Sequence, residues 1–370
     1  MGRPSSIPGG AVSLFARLRH WWQGHPVVTA EPALPPPRGA KRGRVNHIII
    51  LDGTLSSLDE GQETNAGLLF KLLSEGKLRA DRTVYYEPGI QWQGWRRLHD
   101  IARGKGVNRQ IRRAYGWLAS HYREGDGIYL FGFSRGAFAV RSLAGVIDRV
   151  GLLRRELATE RAVSQAYRHY RTDPDSPAAR AFAVAYCHAD CEIECVGVWD
   201  TVKALGVRLP LLWMLTESRN QFHNHHLGAS VKHGFHALAL HETRVAFEPV
   251  MWTTPPGHAG NIEQVWFRGA HGDVGGHVGH HHRSRPLANI PLVWMVERAE
   301  AVGLSMPEGW RSRFPCDPAA PMVGTMRSWG ALFLLRRARV VGRDPSERLH
   351  PTAEGQRPFS WVPWPLTRLY

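Results

Sequence analysis

A pentapeptide, Gly132-Phe133-Ser134-Arg135-Gly136, stands between an apolar run, Gly127 to Phe131, and a stretch, Ala137 to Val150, whose Val140, Leu143, Ala144, Ile147 and Val150 recur at helical spacing. A strand that turns at once into a helix brings backbone against backbone. Glycines two residues to either side of the serine remove the Cβ atoms that would clash. The serine is left at the tip of the turn, at the mouth of a helix whose dipole favours negative charge. In a chain with 38 glycines such a pattern carries weight only through its context, and here both flanking elements are of the required kind.

The same rhythm runs through the middle of the chain. Asn46-His47-Ile48-Ile49-Ile50-Leu51 is a continuous β-branched run suited to a strand buried on both faces of a parallel sheet, and it ends in the turn Asp52-Gly53-Thr54. A helical pattern near Asn65 to Ser74, a strand at Thr83 to Tyr86, a helix from about Arg109 to Tyr122, and core strands at Glu192 to Trp199 and Glu263 to Phe267 follow. This alternation predicts an α/β fold, a mostly parallel sheet with helices on both faces. The predicted catalytic domain is 45–305, with Leu205 to Phe235 as a cap-like insertion and His236 and His241 in a helical pattern as packing or polar-network residues. Residues 1–44, with the Pro35-Pro36-Pro37 run, read as a disordered or loosely attached basic segment. Inside it, Val12 to Trp22 has the spacing of a basic amphipathic helix, fit for a membrane or for the protein's own surface. The Arg- and Pro-rich stretch 306–370 reads as an extension without a legible role.

A net charge of +15 predicts attraction to anionic partners, an anionic membrane surface among them. With no C2H2 spacing, RNP-like motif or long basic run, nucleic acid is not an expected partner. Four cysteines are too few for a disulfide scaffold, and Cys187, Cys191 and Cys195, near His188, read as reduced core thiols rather than a zinc knuckle. No apolar run approaches the roughly 18 residues of a spanning helix. The apolar stretch Ala11 to Ala16, followed by Arg17 and Arg19, is too short for a Sec signal. The expected address is the cytoplasm or a membrane periphery, with a non-Sec secretion route open. Met1-Gly2-Arg3-Pro4-Ser5-Ser6 formally matches an N-myristoylation pattern.

A serine hydroxyl needs a base to take its proton and donors to receive the oxyanion it creates. The first donor expected is the backbone N–H of Arg135, and a second comes from the turn after the first strand, through Gly53 or Thr54. An acid and then a histidine on later strand ends complete the order usual for this geometry. The strand ending at Trp199 delivers Asp200, and the strand ending at Phe267 delivers His271 within Gly269-Ala270-His271-Gly272-Asp273-Val274-Gly275-Gly276. Among 20 histidines it is this position at a strand end that singles out His271. Asp273 remains an alternative orienting acid, a cation ligand or a helix cap, and Asp52 and Asp273 are possible accessory groups. His277, His280, His281 and His282 read as a solvated loop rather than a metal site, and the proposed chemistry requires no metal or organic cofactor. Asp52-Gly53-Thr54 also evokes a phosphatase motif, but Ile50 occupies the position of the reactive aspartate.

Together these stretches, with Tyr86-Glu87-Pro88-Gly89, Arg141-Ser142-Leu143-Ala144-Gly145 and Val198-Trp199-Asp200-Thr201-Val202, resemble the α/β-hydrolase family DUF2235. That family includes the catalytic domain of Tle1-like type VI secretion phospholipase effectors. The resemblance spans about residues 46–300. It implies an α/β-hydrolase fold, Ser134 as nucleophile with Asp200 and His271 as partners, and lipid esters as a substrate class. The chain departs from the family with Leu55-Ser56 where Trp-Asn is frequent and Gly272 where serine is frequent. The expected function is hydrolysis of carboxylic esters, phospholipids being the candidate, through an acyl-enzyme. The alternative is a silent hydrolase-like module that binds an anionic membrane or a protein.

Overall fold

Successive side chains of a strand point to opposite faces, and the run from Asn46 uses both. Ile49 and Leu51 join one buried cluster while Ile48 and Ile50 join another. Each such side chain, fully withdrawn from water, stabilises the fold by about 2 kcal/mol. The computed structural model describes residues 27–30, 43–75, 81–89, 105–202, 226–254, 261–326 and 335–358.

Among the described residues the strands are β1 (Val28–Ala30), β2 (Asn46–Leu51), β3 (Arg82–Glu87), β4 (Gly127–Phe133), β5 (Ile193–Trp199), β6 (Val231–Ala239), β7 (Asn261–Phe267) and β8 (Glu347–Leu349). They form one sheet in the order β1-β3-β2-β4-β5-β6-β7-β8. All neighbours run parallel except β1, which pairs antiparallel with β3. The helices are α1 (Asn65–Ser74), α2 (Lys105–His121), α3 (Arg135–Val150), α4 (Glu160–Thr172), α5 (Pro177–Tyr186), α6 (His271–Gly275) and α7 (Arg285–Ala301). One face of the sheet is covered by side chains of α2, α3, α4 and α5, such as Ile111, Leu143, Val163 and Phe182. The other is covered by α1 and α7, through Leu69, Phe70, Leu292 and Met295. The predicted α/β architecture is therefore present, with the ends of β2, β4, β5, β6 and β7 opening toward one rim.

Three differences from the sequence reading have physical causes. The stretch holding His236, expected to be helical, is the interior strand β6. Its polar side chain is satisfied there, because His236 Nε2 accepts the N–H of Thr201 at 3.1 Å. Val28–Ala30, inside the segment expected to be loosely attached, closes the sheet edge at β3 by backbone pairing, which leaves no periodic signature in three residues. Glu347–Leu349, in the extension of unread role, pairs with β7. The expected amphipathic helix at Val12 to Trp22 and residues 205–225 of the expected cap lie outside the described residues, while residues 231–235, also assigned to that cap, belong instead to the interior strand β6, where parallel pairing with β5 and β7 holds them. No helix among the described residues is long and apolar enough to cross a membrane.

Candidate active site

At the end of β4 the backbone makes the turn that the two glycines foretell. Ser134 has φ 58° and ψ −119°, a conformation that L-residues rarely adopt. Its N–H is held by Trp199 O at 3.0 Å. A Cβ on Gly132 would lie 2.7 Å from the carbonyl carbon of Gly136, and one on Gly136 would lie 2.1 Å from the backbone oxygen of Leu51. Because a backbone atom cannot swing aside, Gly136→Ala should destabilise the fold by about 3 kcal/mol. Gly43→Ala, whose added methyl would meet nothing within 4 Å, should be close to neutral. Urea denaturation of the pair checks this, and equal midpoints would contradict the packing argument.

Three loops from β4, β5 and β7 converge at this turn. The Ser134 hydroxyl donates to His271 Nε2 at 2.9 Å, and His271 Nδ1 donates to Asp200 Oδ2 at 2.6 Å. All three side chains are buried. The His271 ring lies against Phe133 and Phe247, each with its centroid 4.8 Å away. Asp200, in the left-handed region at φ 40°, accepts Ala239 N–H at 3.0 Å through Oδ1. Burial alone would raise its carboxyl pKa, but the charge of Arg339 and the hydrogen bond from His271 outweigh it and hold the group well below the usual carboxylate range.

Asp273, the alternative acid, is occupied elsewhere. Its carboxylate accepts the N–H groups of Ala270 (2.9 Å), Val323 (2.7 Å) and Gly324 (3.3 Å), capping its own helix and tying in a distant loop. Burial still raises its pKa against those three bonds. Asp52 is a brace for the β2 turn. It accepts the hydroxyls of Thr64 (2.6 Å) and Tyr86 (2.7 Å) and the N–H of Gly53 (2.6 Å). Burial, only partly offset by those bonds, pushes its pKa up to about 6. With the Gly53 N–H committed to Asp52, Thr54 is the remaining donor of the two expected there, and its hydroxyl oxygen is buried without a partner. Arg135 begins α3, where first-turn N–H groups have no intrahelical acceptor.

Residues beyond the sequence reading support the histidine. Glu242, just past β6, accepts the backbone N–H of His271 at 3.1 Å and is paired with Arg244 at 2.7 Å. Arg244 in turn lies 3.9 Å over the ring of Phe247. Arg339 grips Asp200 from the C-terminal extension. Only the acidic-basic pair flanking Thr243, soon after an apolar run, gave a local hint; Arg339 gave none. Among the described residues no group of three His, Cys, Asp or Glu side chains is arranged to hold a metal ion. Cys187, Cys191, Cys195 and Cys316 carry free thiols.

A parallel sheet with a serine elbow at one rim, met there by an acid and a histidine from later strands, defines an α/β-hydrolase fold. Residues 46–298 match the family described as T6SS, phospholipase effector Tle1-like, catalytic domain, and the chain belongs to that family. Among curated proteins it is 30% identical over 237 residues to the uncharacterized protein YEL023C of Saccharomyces cerevisiae, a match covering 57% of this chain and 33% of the yeast protein. The chain thus spans about a third of the length of that relative. Among solved structures, an uncharacterized protein from Pseudomonas aeruginosa aligns at 17% identity and TM-score 0.43, covering 74% of this chain and 49% of that one. The Tle1 effector bound to the VgrG spike from the type 6 secretion system aligns at 19% and 0.34, covering 68% and 56%. Thermogutta terrifontis esterase 2, phosphoramylated by tabun, aligns at 14% and 0.43, covering 76% and 91%.

Proposed function

We propose that the protein is a serine hydrolase that cleaves carboxylic esters of phospholipids through an acyl-enzyme. The observation that carries this reading is the hydrogen-bonded relay from Ser134 through His271 to Asp200, at 2.9 and 2.6 Å. His271 takes the hydroxyl proton as Ser134 Oγ attacks the ester carbonyl, and the Asp200 carboxylate stabilises the imidazolium that results. The oxyanion is received by the Arg135 N–H and by Thr54. His271 then returns its proton to the leaving alcohol, and water repeats the sequence in reverse to release the acid. None of these steps calls for a metal or organic cofactor. Membership of a phospholipase effector family motivates a lipid ester as substrate and export by a type VI route, and the +15 charge favours anionic membrane as the substrate's setting.

A fluorophosphonate probe should modify the protein at one residue, Ser134, mapped by mass spectrometry of its peptides. Modification elsewhere, or none, would reject the reading. The lipid assignment is tested separately: vesicle-borne phospholipid esters should be turned over faster than soluble esters of the same acyl length, and the advantage should shrink as salt screens the basic surface.

A further inference from the structure

Arg339 lies beyond the family-matched region, in a stretch whose sequence offers no motif, yet it is buried against the acid of the relay. Its Nη1 donates to Asp200 Oδ1 at 2.5 Å and its Nη2 to Asp200 Oδ2 at 2.9 Å, so the planar fork spans both carboxylate oxygens. The same two nitrogens also donate to carbonyls, Nη1 to Ala239 O at 2.9 Å and Nη2 to Phe247 O at 2.6 Å. One guanidinium thereby fixes the carboxylate that receives His271 Nδ1 and the backbone of the phenylalanine that packs on the same ring. The contacts close into a ring: Arg339 to Asp200, Asp200 to His271, His271 to Glu242, Glu242 to Arg244, Arg244 to Phe247, and Phe247 back to Arg339.

We propose that Arg339 is a positioning residue for ester cleavage, acting through the two oxygens of Asp200 to lock the orientation of His271. The inference rests on the hydrolase reading above. The groups that face His271 are Ser134 from the elbow, Asp200 from the β5 loop, Glu242 from the β6 loop and His277 from beyond α6, with Arg339 behind Asp200. Arg339 also keeps Asp200 an anion while the ring is neutral, so the carboxylate is ready when the proton arrives. A lysine would keep the charge but present a single point of contact in place of the fork.

The test follows kcat and KM for a soluble p-nitrophenyl ester, with and without added guanidinium and with fluorophosphonate labelling alongside, in the wild type, Arg339→Ala and Arg339→Lys. Arg339→Ala is expected to lower kcat roughly 100-fold through misplacement of the base, with KM little changed. Millimolar guanidinium should restore much of the lost kcat. Arg339→Lys should stay depressed, because one ammonium cannot span both carboxylate oxygens. A kcat for Arg339→Ala equal to the wild type, or one depressed and indifferent to guanidinium, would overturn the proposal. Should Arg339→Ala fail to fold, Arg339→Lys decides: wild-type kcat overturns it, and a depressed kcat with an unchanged melting temperature supports it. A wild type that takes no label would overturn the hydrolase reading and this inference with it, whereas a labelled wild type with indifferent variants removes only the inference.

Discussion

Ser134→Ala should abolish ester turnover, with a fall in kcat of about a millionfold, while the protein remains folded. The lost atom is the one that forms the covalent bond, and no other hydroxyl is hydrogen-bonded to His271 Nε2 among the described residues. Alanine suits the φ of 58° no better and no worse than serine, so the backbone geometry of the elbow should survive. The folded state then loses one hydrogen bond, a change of about 1 kcal/mol. Circular dichroism and the melting temperature should therefore stay close to the wild type while product formation vanishes. The oxyanion hole and binding alone sustain only about a thousandfold to ten-thousandfold over the reaction in water, so residual turnover well above about one part in a million of the wild type would move the nucleophile to another residue.

Asp200→Asn is expected to lower kcat about ten-thousandfold, by a different route. An amide has one acceptor oxygen where the carboxylate has two, and each oxygen of Asp200 already receives a guanidinium nitrogen. If the NH2 faces His271, it forces Nδ1 to accept. The ring proton then sits on Nε2, and the ring can no longer take the proton of Ser134. If the NH2 faces the other way, it meets Arg339 and Ala239 N–H, donor against donor. Either way the buried guanidinium loses its counter-charge, and stability should fall by about 3–5 kcal/mol. Because the carboxyl pKa is depressed by folding, its stabilisation is present above the unfolded-state value near about 4 and is lost as pH falls through the folded-state value. The stability gap between wild type and Asp200→Asn should therefore be full at neutral pH and narrow below about pH 4. Denaturant midpoints across pH measure it, and a gap that is constant with pH would contradict the assigned charge state.

Much of this arrangement was legible in the sequence because it is encoded locally. The Ile48-Ile49-Ile50 run can only be comfortable with both faces covered, and the spacing of Gly132 and Gly136 about Ser134 specifies a backbone conformation outright. The positions of Asp200 and His271 could be named because strand ends in such a sheet share a rim. What could not be read is what depends on contacts distant in the chain. Gly234-Phe235-His236-Ala237 looks the same to a helix and to a strand until Thr201 N–H is found against the imidazole. The choice between Asp200 and Asp273 turns on which carboxylate is already filled by backbone donors, as Asp273 is. Arg339 is one of many arginines in a basic chain, and only folding singles it out.

Among the described residues, the non-glycine positions with positive φ are Leu55, Ser134 and Asp200. They follow β2, β4 and β5, which are adjacent in the sheet. Among the described residues, conformational tension outside glycine is thus gathered at one rim. Robustness and reactivity consequently pull in opposite directions at this rim. A lineage under pressure for heat tolerance could ease those three hinges with glycine, but at position 134 or 200 it would surrender the groups the rim exists to present.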